Sequence, residues 1–332
     1  MMSLEEFLEE WNSDSPYVQV RTSGSTGEPK PMLVEKRRML ASAKITCDFL
    51  GLKEGDTALL CMSLDYIAGK MMMVRAMERG LKLEVVKPCG HPLERTNVIP
   101  VFAAMVPMQV YNSLQVPVER ERLKMIRHLI IGGGAIDEAL AEELRTFPNH
   151  VWSTYGMTET LSHIALRRLS EPEASEWYTP FPSVKVSLSE DGCLMIDASE
   201  VCQERLVTND IAELSEHGFR ILGRKDNVIC SGGIKIQAEE VERLLRSHFR
   251  EPYLISKRPD PKFGEAVVLL TEGDVETART VCEAVLQKFH RPRVYVHVDS
   301  IPLTETKKPA RRQAEMLARG DGVICPTSPS NS

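Results

Sequence analysis

Between residues 58 and 145 short apolar runs alternate with stretches of helical spacing, and this alternation constrains the fold more than any other feature of the chain. Ala58-Leu59-Leu60-Cys61-Met62 reads as a buried strand, 67–79 as a helix and Leu83-Glu84-Val85-Val86 as the next strand. The rhythm predicts a helix near 95–104, a strand at Met108-Gln109-Val110-Tyr111, a helix near 119–126, a strand at His128-Leu129-Ile130-Ile131 and a helix from 137 to about 145. Parallel strands need a crossover of helix length between them, so the expected fold class is α/β, a mostly parallel sheet covered by helices. Upstream, 3–11 reads as an acidic amphipathic helix, 17–20 as a short strand and 35–50 as a helix.

The pattern changes near residue 182. Residues 184–188 and 192–196 alternate apolar and polar around an Asp-Gly turn, and further short strands at 205–208, 211–214 and 219–222 extend a small antiparallel β unit. Helices at 239–247 and 276–289, with strands at 265–270 and 294–298, form an α+β tail. The expected division is a large domain over 1–225, a small mobile domain over 226–319 and a disordered Pro/Ser-rich end over 320–332.

A formal net charge of −6 and the lack of an aromatic-interleaved basic stripe argue against nucleic acid as a partner. The eight cysteines are scattered without a Cys-x-x-Cys pair, which argues against a structural zinc site. The start has neither a cationic nor an apolar leader region, and no apolar run reaches the roughly 20 residues of a membrane helix. A cytoplasmic protein without a membrane partner is the expectation.

Thr22-Ser23-Gly24-Ser25-Thr26-Gly27-Glu28-Pro29-Lys30 gathers glycines, hydroxyls and a cation, which suits a polyphosphate, although no Walker Gly-Lys-Ser/Thr run follows. Composition alone would make it a surface turn. Four other stretches give it meaning: Ser153-Thr154-Tyr155-Gly156-Met157-Thr158-Glu159-Thr160, Asn209-Asp210-Ile211-Ala212-Glu213-Leu214, Gly223-Arg224-Lys225-Asp226 with Ser231-Gly232-Gly233-Ile234-Lys235, and Pro302-Leu303-Thr304-Glu305-Thr306-Lys307-Lys308-Pro309-Ala310-Arg311-Arg312. In order and spacing these resemble the adenylate-forming superfamily of acyl-CoA synthetases, luciferases and peptide-synthetase adenylation domains, over residues 18–312. Asp65-Tyr66-Ile67-Ala68-Gly69-Lys70-Met71-Met72-Met73-Val74-Arg75-Ala76 and Tyr155-Gly156-Met157-Thr158-Glu159-Thr160-Leu161-Ser162-His163 are similar, within it, to a short form of the o-succinylbenzoate–CoA ligases of menaquinone biosynthesis.

The resemblance implies a ligase that uses ATP, Mg²⁺ and CoA on an aromatic or acyl carboxylate. Thr22, Ser23, Gly24, Ser25, Thr26, Gly27 and Lys30 would hold the leaving phosphates, Glu159 the metal, and Thr158 the α-phosphate region. Gly133, Gly134, Ala135, Tyr155 and Gly156 would receive adenine, and Asp210 with Arg224 the ribose. Asp226 falls at the superfamily's hinge, and Gly232, Gly233 and Lys235 on the CoA side. Counting from Pro302 makes Lys308 the catalytic lysine, but Lys307 stands where the family has Gly, so the pair is open by one. For the acyl pocket the resemblance points to Tyr66, Lys70, Arg75, Ser162 and His163. Lys70 and Arg75 lie about 140° apart on a helix, so only one is expected to face inward. Arg75 is favoured, to anchor a second carboxylate bidentately, with a surface pairing to Glu78 as the alternative. Only 21 residues precede the phosphate loop, so the resemblance implies a shortened N-terminal subdomain, an uncovered sheet edge and, as one outcome, a homodimer. Two other activities stay open: an adenylase that loads a carrier-protein thiol, and a non-catalytic nucleotide-binding module.

Overall fold

The computed structural model describes residues 2–21, 31–96, 98–134, 136, 138–304 and 308–320. The phosphate loop 22–30, Ala135, Lys307 and the tail after Gly320 lie outside them. Two compact units emerge: residues 1–189, 194–208 and 213–220 form the first, and the rest the second.

The first unit opens with α1 (Leu4–Asn12), where Ser3 caps the helix through a reciprocal pair with Glu6. A hairpin of β1 (Tyr17–Arg21) and β2 (Pro31–Glu35) leads into α2 (Lys36–Leu50), which Gly51 ends in a left-handed conformation. There follow β3 (Thr57–Leu60), α3 (Ile67–Arg79), β4 (Lys82–Val85), β5 (Phe102–Met105), α4 (Pro107–Gln115), α5 (Pro117–Met125), β6 (His128–Ile131), α6 (Glu138–Arg145), β7 (His150–Gly156), β8 (His163–Arg168) and β9 (Thr179–Pro180). The sheet order is β4-β3-β5-β6-β7-β8-β9, parallel from β4 through β7 and antiparallel beyond. β5 and β6 are buried at every position, as strands with both faces covered must be. The core packs Leu59, Ala103, Met105, Leu129, Ile131 and Val151 against Val110, Leu114 and Leu123 of the covering helices. The helix-covered parallel sheet is as expected.

Residues 95–111 are not. The expected helix near 95–104 is a short 3-10 turn (Pro92–Arg95) followed by β5, and the expected strand at 108–111 lies inside α4. Met108-Gln109-Val110-Tyr111 mimics a two-residue period. Pro107 starts a helix there, and its buried positions, Gln109, Val110, Ser113 and Leu114, follow the helical spacing.

A small antiparallel sheet of β10 (Lys185–Leu188), β11 (Cys193–Asp197), β12 (Leu206–Ser215) and β13 (Gly218–Arg224) follows, in that order. The second unit continues with β14 (Val228–Ser231), β15 (Ile234–Gln237), α7 (Ala238–Leu245), β16 (Tyr253–Asp260), β17 (Gly264–Thr271), α8 (Val275–Val285), β18 (Val294–His297) and α9 (Arg311–Arg319). Its sheet runs β15-β14-β17-β16, with β18 parallel to β17. Neither β16 nor α9 was apparent from periodicity, and the stretch 231–235 holds the turn and second arm of a hairpin.

α1 is fastened to α3 by an ion pair. Lys70 Nζ lies 3.0 Å from Glu10 Oε2 and 5.3 Å from the Phe7 ring centre. The lysine side chain is 3% exposed, so Glu10 supplies the counter-charge that burial demands. Glu10→Ala is expected to cost about 3 kcal/mol of unfolding free energy, and adding Lys70→Met should regain most of it. Urea denaturation of the single and double variants checks this. Equal loss in both would mean that the stranded charge is not the cause.

Candidate active site

Two of the sequence motifs meet at neighbouring strand ends. Gly132–Gly134 leaves the C-terminal end of β6, and the segment 157–160 leaves that of β7, its parallel neighbour. Crevices beyond the carboxyl ends of parallel strands are where open α/β sheets bind ligands. A Cβ on Gly132 would stand 2.3 Å from Thr154 Oγ1, so glycine there lets the two ends close up. Gly133 has φ +78°, a conformation that side chains resist.

Thr158–Thr160 forms a 3-10 turn. The buried Thr160 holds it together, because its hydroxyl donates to Ser162 O at 2.8 Å and accepts from Met157 N–H at 3.0 Å. Thr158 is buried, while Glu159 projects into solvent with no salt bridge among the described residues. Tyr155 is half-buried in an aromatic cluster, edge-on to Phe219 at 5.0 Å and tilted to Tyr178 at 5.8 Å. Only part of its surface is left for a base.

In α3 the expectation that only one of Lys70 and Arg75 faces inward is corrected: each is 2% exposed. Every residue from Gly69 to Ala76 is buried, so both directions along α3 are interior. Lys70 is engaged by Glu10, whereas Arg75 meets Ser162, with Nη2 2.5 Å from Ser162 Oγ. Ser162 Oγ lies 3.3 Å from His163 Nδ1, and His163 Nε2 lies 3.1 Å from Thr46 Oγ1 on α2. Thus Arg75, Ser162 and His163, three predicted pocket residues, form one buried chain. Tyr66, at the start of α3, is exposed.

No carboxylate among the described residues pairs with Arg75, and its Nε has no hydrogen-bond partner. Burial pushes its guanidinium down to about 10. Burial, with Arg75 beside it, also holds His163 well below the usual histidine range, so its ring is neutral at pH 7.

In the second unit Arg224 bridges two carboxylates, Asp210 and Asp226, each at 3.1 Å, and Asn209 Nδ2 reaches Asp226 at 3.3 Å. Lys308 is half-buried, and burial, aided by the Arg224 charge, pushes its ammonium below the ordinary lysine value. Its backbone is pinned: Thr304 N–H donates to Lys308 O at 2.7 Å, and Lys308 N–H to Thr304 Oγ1 at 3.1 Å. Arg311 forms a bidentate pair with Glu242 of α7, both contacts 2.7 Å, and donates to Ile255 O at 2.8 Å. Gly232 and Gly233, at φ +60° and +84°, make the tight β14–β15 turn, and Lys235 stands opposite Cys230 in that hairpin.

The model of the AMP-binding enzyme family matches residues 4–198, more than half of the chain. The chain belongs to the AMP-binding enzyme family. It is 26% identical to a 2-succinylbenzoate–CoA ligase of Geobacillus sp. (strain WCH70), over 94% of this chain and 71% of that enzyme. An acyl-CoA synthetase (AMP-forming)/AMP-acid ligase II-like protein from Dyadobacter fermentans is 32% identical, with 93% of this chain and 91% of that one covered and a TM-score of 0.65. The Bacillus subtilis o-succinylbenzoate coenzyme A synthetase, solved with ATP and magnesium ion, shares the fold at a TM-score of 0.74 and 24% identity, over 89% and 69% of the two chains.

For an AMP-binding enzyme the exposed carboxylate of Glu159, which has no salt bridge among the described residues, would suit a magnesium ion, since such an ion keeps several waters and needs few protein oxygens. Sequence reading overlooked Thr46, Glu10 and Glu242, whose partners lie far along the chain and leave no local pattern. A threonine inside the apolar face of α2 was the one available signal for Thr46.

Proposed function

We propose that this chain joins an aromatic dicarboxylic acid, o-succinylbenzoate, to CoA through an acyl-adenylate, a step of menaquinone biosynthesis. One observation supports the acid's nature: a guanidinium, Arg75, that is 2% exposed, lacks a carboxylate partner among the described residues and has an unused Nε–H. A buried charge without a counter-charge is costly, and a ligand carboxylate would relieve it. The relatives named 2-succinylbenzoate–CoA ligase agree with that reading.

In the first half-reaction an oxygen of the acid's other carboxylate, the one that Arg75 does not hold, attacks the α-phosphorus of ATP, and the bond to pyrophosphate breaks. Lys308 and the loop 22–30 would neutralise the charge gathering on the phosphates, and Asp210 would accept from the ribose hydroxyls. Mg²⁺ held by Glu159 would supply further neutralisation of those phosphates. In the second half-reaction the CoA sulfur attacks the acyl carbon past the Gly232–Gly233 turn, and AMP leaves.

The test supplies ATP, Mg²⁺, CoA and a panel of carboxylic acids, and follows pyrophosphate and thioester. Thioester from o-succinylbenzoate alone is the expected result. Pyrophosphate without thioester would shift the acceptor to a carrier-protein thiol. Nucleotide binding without either product would leave a non-catalytic module.

A further inference from the structure

The chain from Arg75 to Thr46 has a proton order that can be worked out link by link. Thr46 is wholly buried on α2, and its hydroxyl donates to Ser42 O at 3.1 Å. A hydroxyl has one proton, so toward His163 Nε2, 3.1 Å away, Thr46 can only accept. The ring is neutral and therefore carries one N–H. Placing it on Nε2 leaves Nδ1 bare, facing Ser162 Oγ at 3.3 Å. Ser162 then donates to Nδ1 and turns its lone pairs to Arg75 Nη2 at 2.5 Å. Every donor points the same way: Arg75 to Ser162, to His163, to Thr46, to Ser42 O. With the opposite tautomer the ring would donate to Ser162, and Thr46 would have to give up Ser42 O.

We infer that Thr46, which belongs to none of the sequence motifs, is a positioning residue for acid specificity: by fixing His163 as the Nε2–H tautomer it draws the Ser162 proton onto Nδ1, so that the Ser162 lone pairs are left to Arg75 and orient it toward a carboxylate. Thr46 does not touch the substrate. Its hydroxyl acts through two intervening side chains, and Arg75 is left with its Nε–H to offer. The inference rests on the proposed function only where it assigns that carboxylate to a dicarboxylic acid.

The test has two independent parts. In protein labelled with ¹⁵N-histidine, the His163 signals, identified by their loss in His163→Gln, should report a neutral Nε2–H ring at pH 7. A neutral Nδ1–H ring or an imidazolium overturns the inference, and this reading needs no substrate. Kinetically, Thr46→Val should raise KM for o-succinylbenzoate about tenfold with kcat unchanged, because a buried donor loses its acceptor. KM for ATP, which carries no carboxylate, should stay within about twofold, and Thr46→Ser should restore both the tautomer signal and the KM for o-succinylbenzoate. Unchanged KM for o-succinylbenzoate in Thr46→Val, or an equal rise for ATP, also overturns it. Should Thr46→Val fail to fold, the wild-type tautomer decides alone. If no acid yields thioester with the wild type, the proposed function falls while the tautomer measurement still judges the proton order.

Discussion

Lys308→Ala should lower acyl-adenylate formation about a thousandfold, while thioester formation from a supplied adenylate stays within a few fold of wild type. The reason lies in where the ammonium is held. It is half-buried, and burial together with the nearby Arg224 guanidinium already presses it toward the neutral form. A polyphosphate entering this setting would restore the charge and gain from it, and the gain grows as pyrophosphate departs. The bonds to Thr304 and the Glu242–Arg311 pair fix the backbone on both sides of the lysine, so little ordering remains when the nucleotide arrives. Pyrophosphate release and thioester formation, assayed separately, check the split. Equal loss in both assays would remove Lys308 from the phosphate chemistry, and the same split in Lys307→Ala would move the role one residue back.

Arg75→Met should have opposite effects on stability and activity. Methionine fills similar length without a charge, so removing an unbalanced guanidinium from the interior is expected to raise unfolding free energy by about 2 kcal/mol. Turnover efficiency on o-succinylbenzoate should fall by about a hundredfold or more, since a buried charge-assisted contact to the second carboxylate is lost. Urea denaturation and kcat/KM on the same preparations check both signs. A variant that loses stability and activity together would mark Arg75 as a structural residue.

The parallel sheet was readable because strands covered on both faces, such as Phe102-Ala103-Ala104-Met105 and His128-Leu129-Ile130-Ile131, carry few polar residues. Even so, the first of these overlaps the helix expected near 95–104, because a four-residue apolar run has no period of its own. Motif residues were readable for a different reason: Gly132–Gly134 and the segment 157–160 do local backbone work that few residue types permit. The charges of α3 were half readable. Their cost of burial was plain, but the helix is buried on all sides, and the identity of each partner depends on chain 60 and 87 residues away. Thr46 shows the limit, because a hydrogen bond across 117 residues has no signature in sequence.

Gly156 closes β7 where a Cβ would stand 2.3 Å from Ser162 O and 2.5 Å from His163 Cα. Those are backbone atoms and cannot swing aside. The strand end that leads into Thr158 and Glu159 therefore rests directly on the residues that line up with Arg75. Through evolution the turn that carries Thr158 and Glu159 and the buried Arg75–Ser162–His163 chain cannot drift apart independently: under the proposed function, a new acid preference has to come from exchanging side chains on a shared backbone, and a random-mutagenesis library should return position 156 almost unvaried among active clones.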